Sequence, residues 1–173
     1  MNKLNYWNQT WSLDEAQCPC DLHLVEYLEE KAVKGKSVFH FGTGNHHIVG
    51  LRLAENGSNN AVLGITASPQ EYDDYVELVI RNPRLGHTYK AYFGDIYQLD
   101  SRLLPELDYA ALTDLEMTMV LADKLRPGGE VLFYTGSFAY DKAEAVAKEL
   151  VKTRSFDDAG TYKSLHIFRK RSR

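Results

Sequence analysis

A chain of 173 residues and 19.7 kDa is long enough for one domain with its own hydrophobic core and too short for two. Its hydrophobic fraction of 44% and charged fraction of 25% exclude a disordered chain, and its net charge of -4 argues against nucleic-acid binding, which needs a positive footprint. No apolar run approaches the ~20 residues that a membrane helix needs, and the polar start MNKLNYWNQT lacks the apolar segment of a secretory signal. These features predict a cytoplasmic protein with no membrane partner, folding alone or as a symmetric oligomer such as a homodimer.

Both ends of the chain carry a segment of unusual composition. Residues 1–20 form an N-terminal aromatic arm, and residues 21–173 are predicted to form the single domain. The basic run RKRSR at 169–173 is interpreted as a solvated tail rather than a phosphate-binding arm. Cys18 and Cys20 are too few for a disulfide framework or a closed zinc site, so reduced cysteines before a helix are predicted.

In chain order, apolar runs rich in β-branched and aromatic residues alternate with longer helical patterns. This alternation is typical of a parallel sheet with helices on both faces, the doubly wound α/β arrangement. The predicted strands are KSVFHF (36–41), AVLGIT (61–66), TYKAYF (88–93), LDYAALT (107–113) and EVLFYT (130–135).

Between these strands, capping residues mark the helices. Asn45 is suited to cap a helix that ends at Gly57, while Ser68, Pro69 and Glu71 form a capping box for a helix stopped by Asn82 and Pro83. Further helices are predicted over 21–34, 114–125 and 141–151. The final stretch predicts an antiparallel hairpin with its tight turn at Asp158 to Gly160, added to the parallel sheet.

Four motifs resemble those of the class I S-adenosylmethionine-dependent methyltransferases, over about residues 21 to 170. The turn Gly42-Thr43-Gly44 resembles the first cofactor motif, LGITASP resembles the second strand and its exit, and FGDIY resembles the third-strand motif. The most family-specific is LRPGGEVLFY (125–134), similar to the turn and fifth strand. The resemblance implies a Rossmann-like seven-stranded sheet ending in an antiparallel hairpin, S-adenosylmethionine as cofactor and methyl transfer as activity.

Three positions depart from the family pattern. His40 stands where an acid ends the first strand, His46 where a third glycine follows the turn, and Thr66 where an acid grips the ribose hydroxyls. A dehydrogenase reading is weaker, because the dinucleotide fingerprint needs a glycine at His47 and an acid near Thr66.

The resemblance implies cofactor-binding roles for His40, Gly42, Thr43, Gly44, Thr66, Asp95, Ile96 and Asp114. The glycines let backbone approach the ligand, or merely allow a tight turn. Asp95 accepts from the adenine amino group and Ile96 packs on the ring, or Asp95 is an ordinary turn residue. Asp114 lies at the rim that carries the site, but it is equally a natural helix cap. No acceptor-side base stands out, so the catalytic residues are unknown.

The histidines near the glycine turn admit several readings. His40, inside an apolar strand, is more typical of a satisfied core histidine, although it is counted with the cofactor residues. His46 and His47 should be neutral, because the helix dipole disfavours imidazolium at an N-terminus. No carboxylate completes a metal-ligand spacing around them, so no metal is predicted.

The resemblance implies an S-adenosylmethionine-dependent methyltransferase, and the charge balance favours a small-molecule acceptor over nucleic acid. The arm residues Tyr6, Trp7 and Trp11 either fold over the cofactor pocket, where rings attract a sulfonium, or pack against the domain. The alternative is a non-catalytic descendant of the fold that binds another nucleotide-like ligand or a protein partner. Its motivation is the altered set His40, His46 and Thr66.

Overall fold

The computed structural model describes residues 19–41, 47–55, 58–135, 141–153 and 155–172. Several sequence predictions fall outside these ranges: most of the aromatic arm, the glycine turn at 42–44, the Asn45 cap, His46 and Gly57.

The elements alternate as the sequence predicts. The helices are α1 (Pro19–Glu30), α2 (Ile48–Glu55), α3 (Pro69–Arg81), the short α4 (Leu85–Thr88), α5 (Leu115–Ala122) and α6 (Ala143–Thr153). The strands are β1 (Ser37–Phe41), β2 (Ala61–Thr66), β3 (Tyr89–Phe93), β4 (Leu107–Leu112), β5 (Leu125–Tyr134), β6 (Phe156–Tyr162) and β7 (Leu165–Lys170). Two 3₁₀ turns, Ile96–Gln98 and Ser101–Leu103, connect β3 to β4.

The seven strands form one sheet in the order β3-β2-β1-β4-β5-β7-β6. Strands β1 to β5 pair in parallel, while β7 pairs antiparallel with both β5 and β6. The doubly wound sheet with a C-terminal antiparallel hairpin is therefore confirmed. Among the helices of the described ranges, none has the length and apolar character to cross a membrane.

Each face of the sheet buries its own apolar cluster. On one face, α1 and α2 pack on alternate strand residues through Leu24, Leu28 and Leu53. On the other face, Leu121 of α5 and Leu150 of α6 pack on the intervening residues. Because successive side chains of a strand point to opposite faces, strands buried on both faces read as continuous apolar runs, which is the pattern seen in the sequence.

Helix α3 begins and ends where its capping residues predict. The Ser68 hydroxyl accepts from the Glu71 amide at 3.4 Å, Pro69 occupies the first helical position, and Asn82 is the C-cap. The capping box is only half formed, because the Ser68 amide donates to the Thr66 hydroxyl at 3.0 Å instead of to Glu71. Glu71 is thereby turned towards the end of β2.

The predicted hairpin exists, but its predicted turn is wrong. Strand β6 runs through Asp158 to Gly160, and the chain reverses at Lys163 and Ser164. Gly160, with φ +89°, sits in an irregularity of the β6–β7 register, where its amide donates to the Asp158 carboxylate at 2.9 Å. The stretch from Asp158 to Gly160 therefore marks a bulge, since glycine at positive φ serves bulges as well as turns.

Other boundaries moved by a few residues. Helix α1 ends at Glu30 rather than at residue 34. Ala32, two residues after this end, adopts φ +50°, which is not a helical conformation. Strand β5 begins at Leu125 rather than at 130, so the PGG motif lies within it, at the amino edge of the sheet. A Cβ on Gly129 would lie 2.9 Å from the Arg126 carbonyl and 3.0 Å from the Asp108 carbonyl, so that glycine permits close backbone packing.

Candidate functional site

The candidate site lies at the carboxyl edge of the parallel strands, next to β1 and β4. These two strands are paired, but the chain leaves them towards opposite faces of the sheet. The chain after β1 enters α2 on one face, and the chain after β4 enters α5 on the other. Such a reversal of winding direction opens a crevice, and open α/β sheets bind their ligands there. Residues from the ends of β1, β2, β3 and β4 are therefore the ones to examine.

At the end of β2, Thr66 is joined to a buried carboxylate. Its hydroxyl donates to Glu71 Oε2 at 2.6 Å, and Glu71 is only 3% exposed. Glu71 lies in the first turn of α3, where the helix dipole stabilises a negative charge. A carboxylate from the neighbouring helix thus lies beside position 66, where the strand itself has no acid.

At the ends of β3 and β4, two of the predicted acids are linked through Tyr97. The Tyr97 amide donates to Asp95 Oδ1 at 2.9 Å, and the Tyr97 hydroxyl donates to Asp114 Oδ2 at 2.5 Å. Both acids are also caps: Asp95 begins the 3₁₀ turn Ile96–Gln98, and Asp114 accepts from the Met117 amide at 2.8 Å to begin α5. The cap reading of Asp114 is confirmed, while its role towards a cofactor stays a prediction.

Ile96 is 2% exposed and belongs to the apolar cluster on the α5 and α6 face. This burial fixes the 3₁₀ turn against the sheet beside Asp95. Contact of Ile96 with an adenine ring stays a prediction.

Thr113, directly after β4, has a fully buried side chain whose hydroxyl finds no hydrogen-bond partner within the described part of the chain. Because Phe41 pairs with Ile65 and His40 with Ala111, Thr66 and Thr113 lie at the same level of the sheet, on either side of the path of β1. Strands spaced at 4.7–4.9 Å put their backbones about 10 Å apart. A buried hydroxyl without a partner is costly, and such groups mark functional positions.

His40 is a satisfied core histidine. Its Nε2 lies 3.0 Å from Asp21 Oδ1 on α1, and the same oxygen accepts from the Tyr134 hydroxyl at 2.8 Å. All three residues are at most 4% exposed. This cluster ties the start of α1 to β1 and β5, while a cofactor contact of His40 stays a prediction.

His47 fixes the start of α2 to two neighbouring elements. Its Nε2 donates to the Glu71 carbonyl at 2.8 Å and its Nδ1 accepts from the Tyr89 hydroxyl at 2.6 Å. Burial lowers the pKa of His47 from its usual value near 6.5, although the bond to the Glu71 carbonyl opposes this. The neutral state of His47 that the helix dipole predicts thus has burial as a second cause. Both ring nitrogens of His47 are engaged in hydrogen bonds within the protein.

Four residues of this region were not predicted from the sequence to have a role there: Glu71, Thr113, Tyr97 and Asp21. Glu71 was read only as a capping residue, and Tyr97 stood within a quoted motif without a role. Across the described ranges, no group of three histidine, cysteine or acidic residues is arranged to hold a metal ion.

No protein-family model matches the sequence, and no curated protein does. Solved structures do match. Magnesium protoporphyrin IX methyltransferase from Synechocystis PCC 6803, solved with bound S-adenosylmethionine, is 16% identical, with a TM-score of 0.64 over 99% of this chain and 93% of that one. TrmN from Thermus thermophilus is 16% identical with a TM-score of 0.61, and the (4+2)-cyclase SpnF is 17% identical with a TM-score of 0.56.

These likenesses define the fold: the chain has the architecture of the class I S-adenosylmethionine-dependent methyltransferases. The match to TrmN covers 85% of this chain but only 48% of TrmN. The match to SpnF covers 80% of this chain and 60% of SpnF. SpnF, a cyclase by description, belongs to the same architecture, so the fold alone does not fix the reaction.

Proposed function

We propose that the chain binds S-adenosylmethionine at the carboxyl edge of the sheet and transfers its methyl group to a small-molecule acceptor. The observation that carries the proposal is the buried hydroxyl of Thr113 at the switch point, which has no hydrogen-bond partner among the residues that the structure describes and which a bound ligand would satisfy. Methyltransferases of the same fold, one of them solved with bound S-adenosylmethionine, support the choice of ligand.

The side chains at this edge fit the chemistry of the cofactor. Carboxylates accept hydrogen bonds from hydroxyl and amino groups, so Glu71 suits the ribose and Asp95 suits the adenine amino group. Thr113, about 10 Å from the end of β2, suits the amino-acid end of the molecule. The cofactor itself would supply an electrophilic methyl group on its sulfonium, while the chain's residues bind and orient it for in-line displacement.

Calorimetric titration with S-adenosylmethionine and S-adenosylhomocysteine tests the proposal directly. Heat with a single-site isotherm is expected. A folded protein that gives no heat at millimolar ligand would show that the cofactor assignment is wrong.

Asp95→Asn is expected to weaken S-adenosylhomocysteine binding by about tenfold, because an amide presents its NH₂ to a donor where the carboxylate would accept. The variant keeps an oxygen for the Tyr97 amide, so the 3₁₀ turn should persist. Asp100→Asn is the matched control, since Asp100 caps the next 3₁₀ turn in the same way by accepting from the Arg102 amide at 3.0 Å. Equal affinities for the two variants would remove Asp95 from the site.

Glu71→Gln is expected to lower the affinity for adenosine by about tenfold while leaving 2′,3′-dideoxyadenosine unaffected, because only the former offers ribose hydroxyls to the carboxylate. The ratio of the two dissociation constants is measured by calorimetry. Glu77→Gln, on the exposed face of the same helix, is the control. An unchanged ratio in a folded Glu71→Gln protein would mean that the Thr66–Glu71 bond is only a clasp between β2 and α3.

The acceptor is proposed to be a small molecule because the net charge of -4 gives no broad positive surface for nucleic acid. The second candidate is a non-catalytic protein of this fold that binds another nucleotide-like ligand or a protein. The observation favouring it is that His40, at the position of the family's acid, is hydrogen-bonded to Asp21, whose same oxygen also accepts from the Tyr134 hydroxyl. Binding of adenosine without binding of S-adenosylmethionine would support this second candidate.

A further inference from the structure

The outer edge of the sheet carries an exposed apolar surface. It consists of Tyr72, Val76 and Ile80 on α3 and Phe93 on β3, and is called the edge surface below; Tyr92, also exposed on β3, points to the opposite face of the sheet with its strand partner Ile65. Within the described ranges, Ile80 is 72% exposed, Phe93 56%, Tyr92 50% and Val76 36%; the remaining large exposed apolar residue, Leu103, lies in the second 3₁₀ turn. Contiguous apolar surface of this kind marks an interaction site.

The edge surface is one unit because α3 and β3 pack together. The rings of Tyr72 and Phe93 lie 5.8 Å apart, and the Tyr75 hydroxyl donates to the Tyr89 carbonyl at 3.0 Å. Residues 72, 76 and 80 follow each other at intervals of four, so they form a single stripe along the helix. Strand β3 ends the sheet order, and its outer backbone edge pairs with no strand of the described chain.

We propose that a second copy of this chain packs on the edge surface, with β3 antiparallel to β3 and α3 antiparallel to α3 about one two-fold axis. A dimer axis requires the same patch to be complementary to itself. Exposed edge strands are the usual place where such pairing occurs.

Strand β3 is self-complementary about Ala91. In an antiparallel pair centred there, Lys90 of each copy lies opposite Tyr92 of the other, and Tyr89 lies opposite Phe93. A lysine beside an aromatic ring gains a cation–π interaction, and paired aromatic rings are favourable cross-strand neighbours. The two Lys90 residues, which would otherwise protect an edge strand, are thereby accommodated.

Helix α3 is self-complementary in charge. Its exposed acidic residues Asp73 and Glu77 precede the exposed basic residue Arg81, and the exposed Arg84 follows the helix, at the N-cap of α4. Two such helices packed antiparallel bring the acidic half of one to the basic half of the other. Since acidic and basic residues balance around the edge surface, neither nucleic acid nor an anionic membrane is favoured as the occupant.

Sedimentation equilibrium and light scattering over micromolar to millimolar concentrations test the proposal. A dimer of about 39 kDa is expected, twice the chain mass of 19.7 kDa. Ile80→Asp should raise the dissociation constant at least about tenfold, because it buries a charge within the interface. Leu103→Asp, at a residue 81% exposed and outside the edge surface, should leave it unchanged.

A charge reversal separates a second copy from any other occupant. Asp73→Arg and Arg81→Asp should each weaken the dimer, whereas the double variant should restore it, because both charges are exchanged on both copies. Circular dichroism checks that each variant is folded. A wild-type chain that stays monomeric at millimolar concentration overturns the proposal, and so does a dimer that is indifferent to Ile80→Asp or is not rescued by the double variant.

Discussion

His47→Ala should lower the free energy of unfolding by about 3–4 kcal/mol. The substitution removes two hydrogen bonds, because the Tyr89 hydroxyl loses its acceptor and the Glu71 carbonyl loses the bond from His47, in a region where His47 is 1% exposed. A buried polar group left unpaired costs about 1–3 kcal/mol, and the lost ring leaves a cavity. His47 also has φ +48°, which alanine tolerates poorly.

Urea unfolding followed by circular dichroism measures this loss. His47→Asn separates the causes, because asparagine accepts positive φ and retains a polar side chain, so it should cost less than alanine. His87→Ala, at an exposed histidine, should change stability by no more than about 0.5 kcal/mol. Equal stabilities for His47→Ala and His87→Ala would contradict the structural role of His47.

The stabilisation by His47 should depend on pH in a defined direction. Because burial lowers its folded-state pKa below the usual value of 6.5, the unfolded chain binds the proton more readily. The contribution is therefore fully present above about pH 6.5 and is lost as the pH falls towards the folded-state pKa, by at most about 1.4 kcal/mol per pH unit. Subtracting the profile of His47→Asn removes the other groups, and a difference that stays constant between neutral pH and pH 5 would contradict this.

Glu130→Ala should cost about 3 kcal/mol, at the opposite edge of the sheet. Glu130 is 1% exposed and accepts from the Tyr27 hydroxyl at 2.7 Å, from Lys31 at 3.1 Å and from Arg169 at 2.9 Å. Removing one partner of a buried pair costs about 3–5 kcal/mol, and the low end applies because Lys31 and Arg169 still reach water. Burial and the hydrogen bond to Glu130 also raise the pKa of Tyr27 above its usual value, so its hydroxyl stays a donor.

The same unfolding measurement checks this second loss, with Glu106→Ala as the control. Glu106 pairs with Arg126 at 3.2 Å in an exposed position, and such pairs are worth about 0–1 kcal/mol. Since Glu130 lies far from the carboxyl edge, its substitution should leave ligand affinity unchanged in the folded fraction. A loss below about 1 kcal/mol would show that the cluster is not a stabilising ion network.

Much of the fold could be predicted from local patterns. The cap Ser68 and the stop at Asn82 predicted α3 to the residue, because a capping side chain acts on amides within its own turn. The hairpin turn was misplaced because an aspartate followed closely by a glycine suits both turns and bulges, and only the pairing of β6 with β7 decides between them.

The candidate site was predictable in location but not in membership. The motifs that follow β1, β2 and β3 indicated the carboxyl edge, since parallel strands all end there. Glu71 could not be assigned to the site from the sequence. Its side chain points towards Thr66 because the Ser68 amide donates to the Thr66 hydroxyl and not to Glu71. Thr113 could not be assigned either. The lack of a hydrogen-bond partner among the described residues depends on what surrounds its hydroxyl and not on the residue type.

The sequence by itself determined the alternation of strands and helices, the caps and the edge of the sheet where ligands would bind, because these follow from periodicity and from neighbours within a few residues. Only the tertiary structure decided that His40 is hydrogen-bonded to Asp21 and that His47 is hydrogen-bonded to both Glu71 and Tyr89. It also decided that the Glu71 carboxylate of α3 lies beside Thr66. Each of these contacts joins different elements of the fold. Their partners are set by sheet order and packing, which no local pattern encodes.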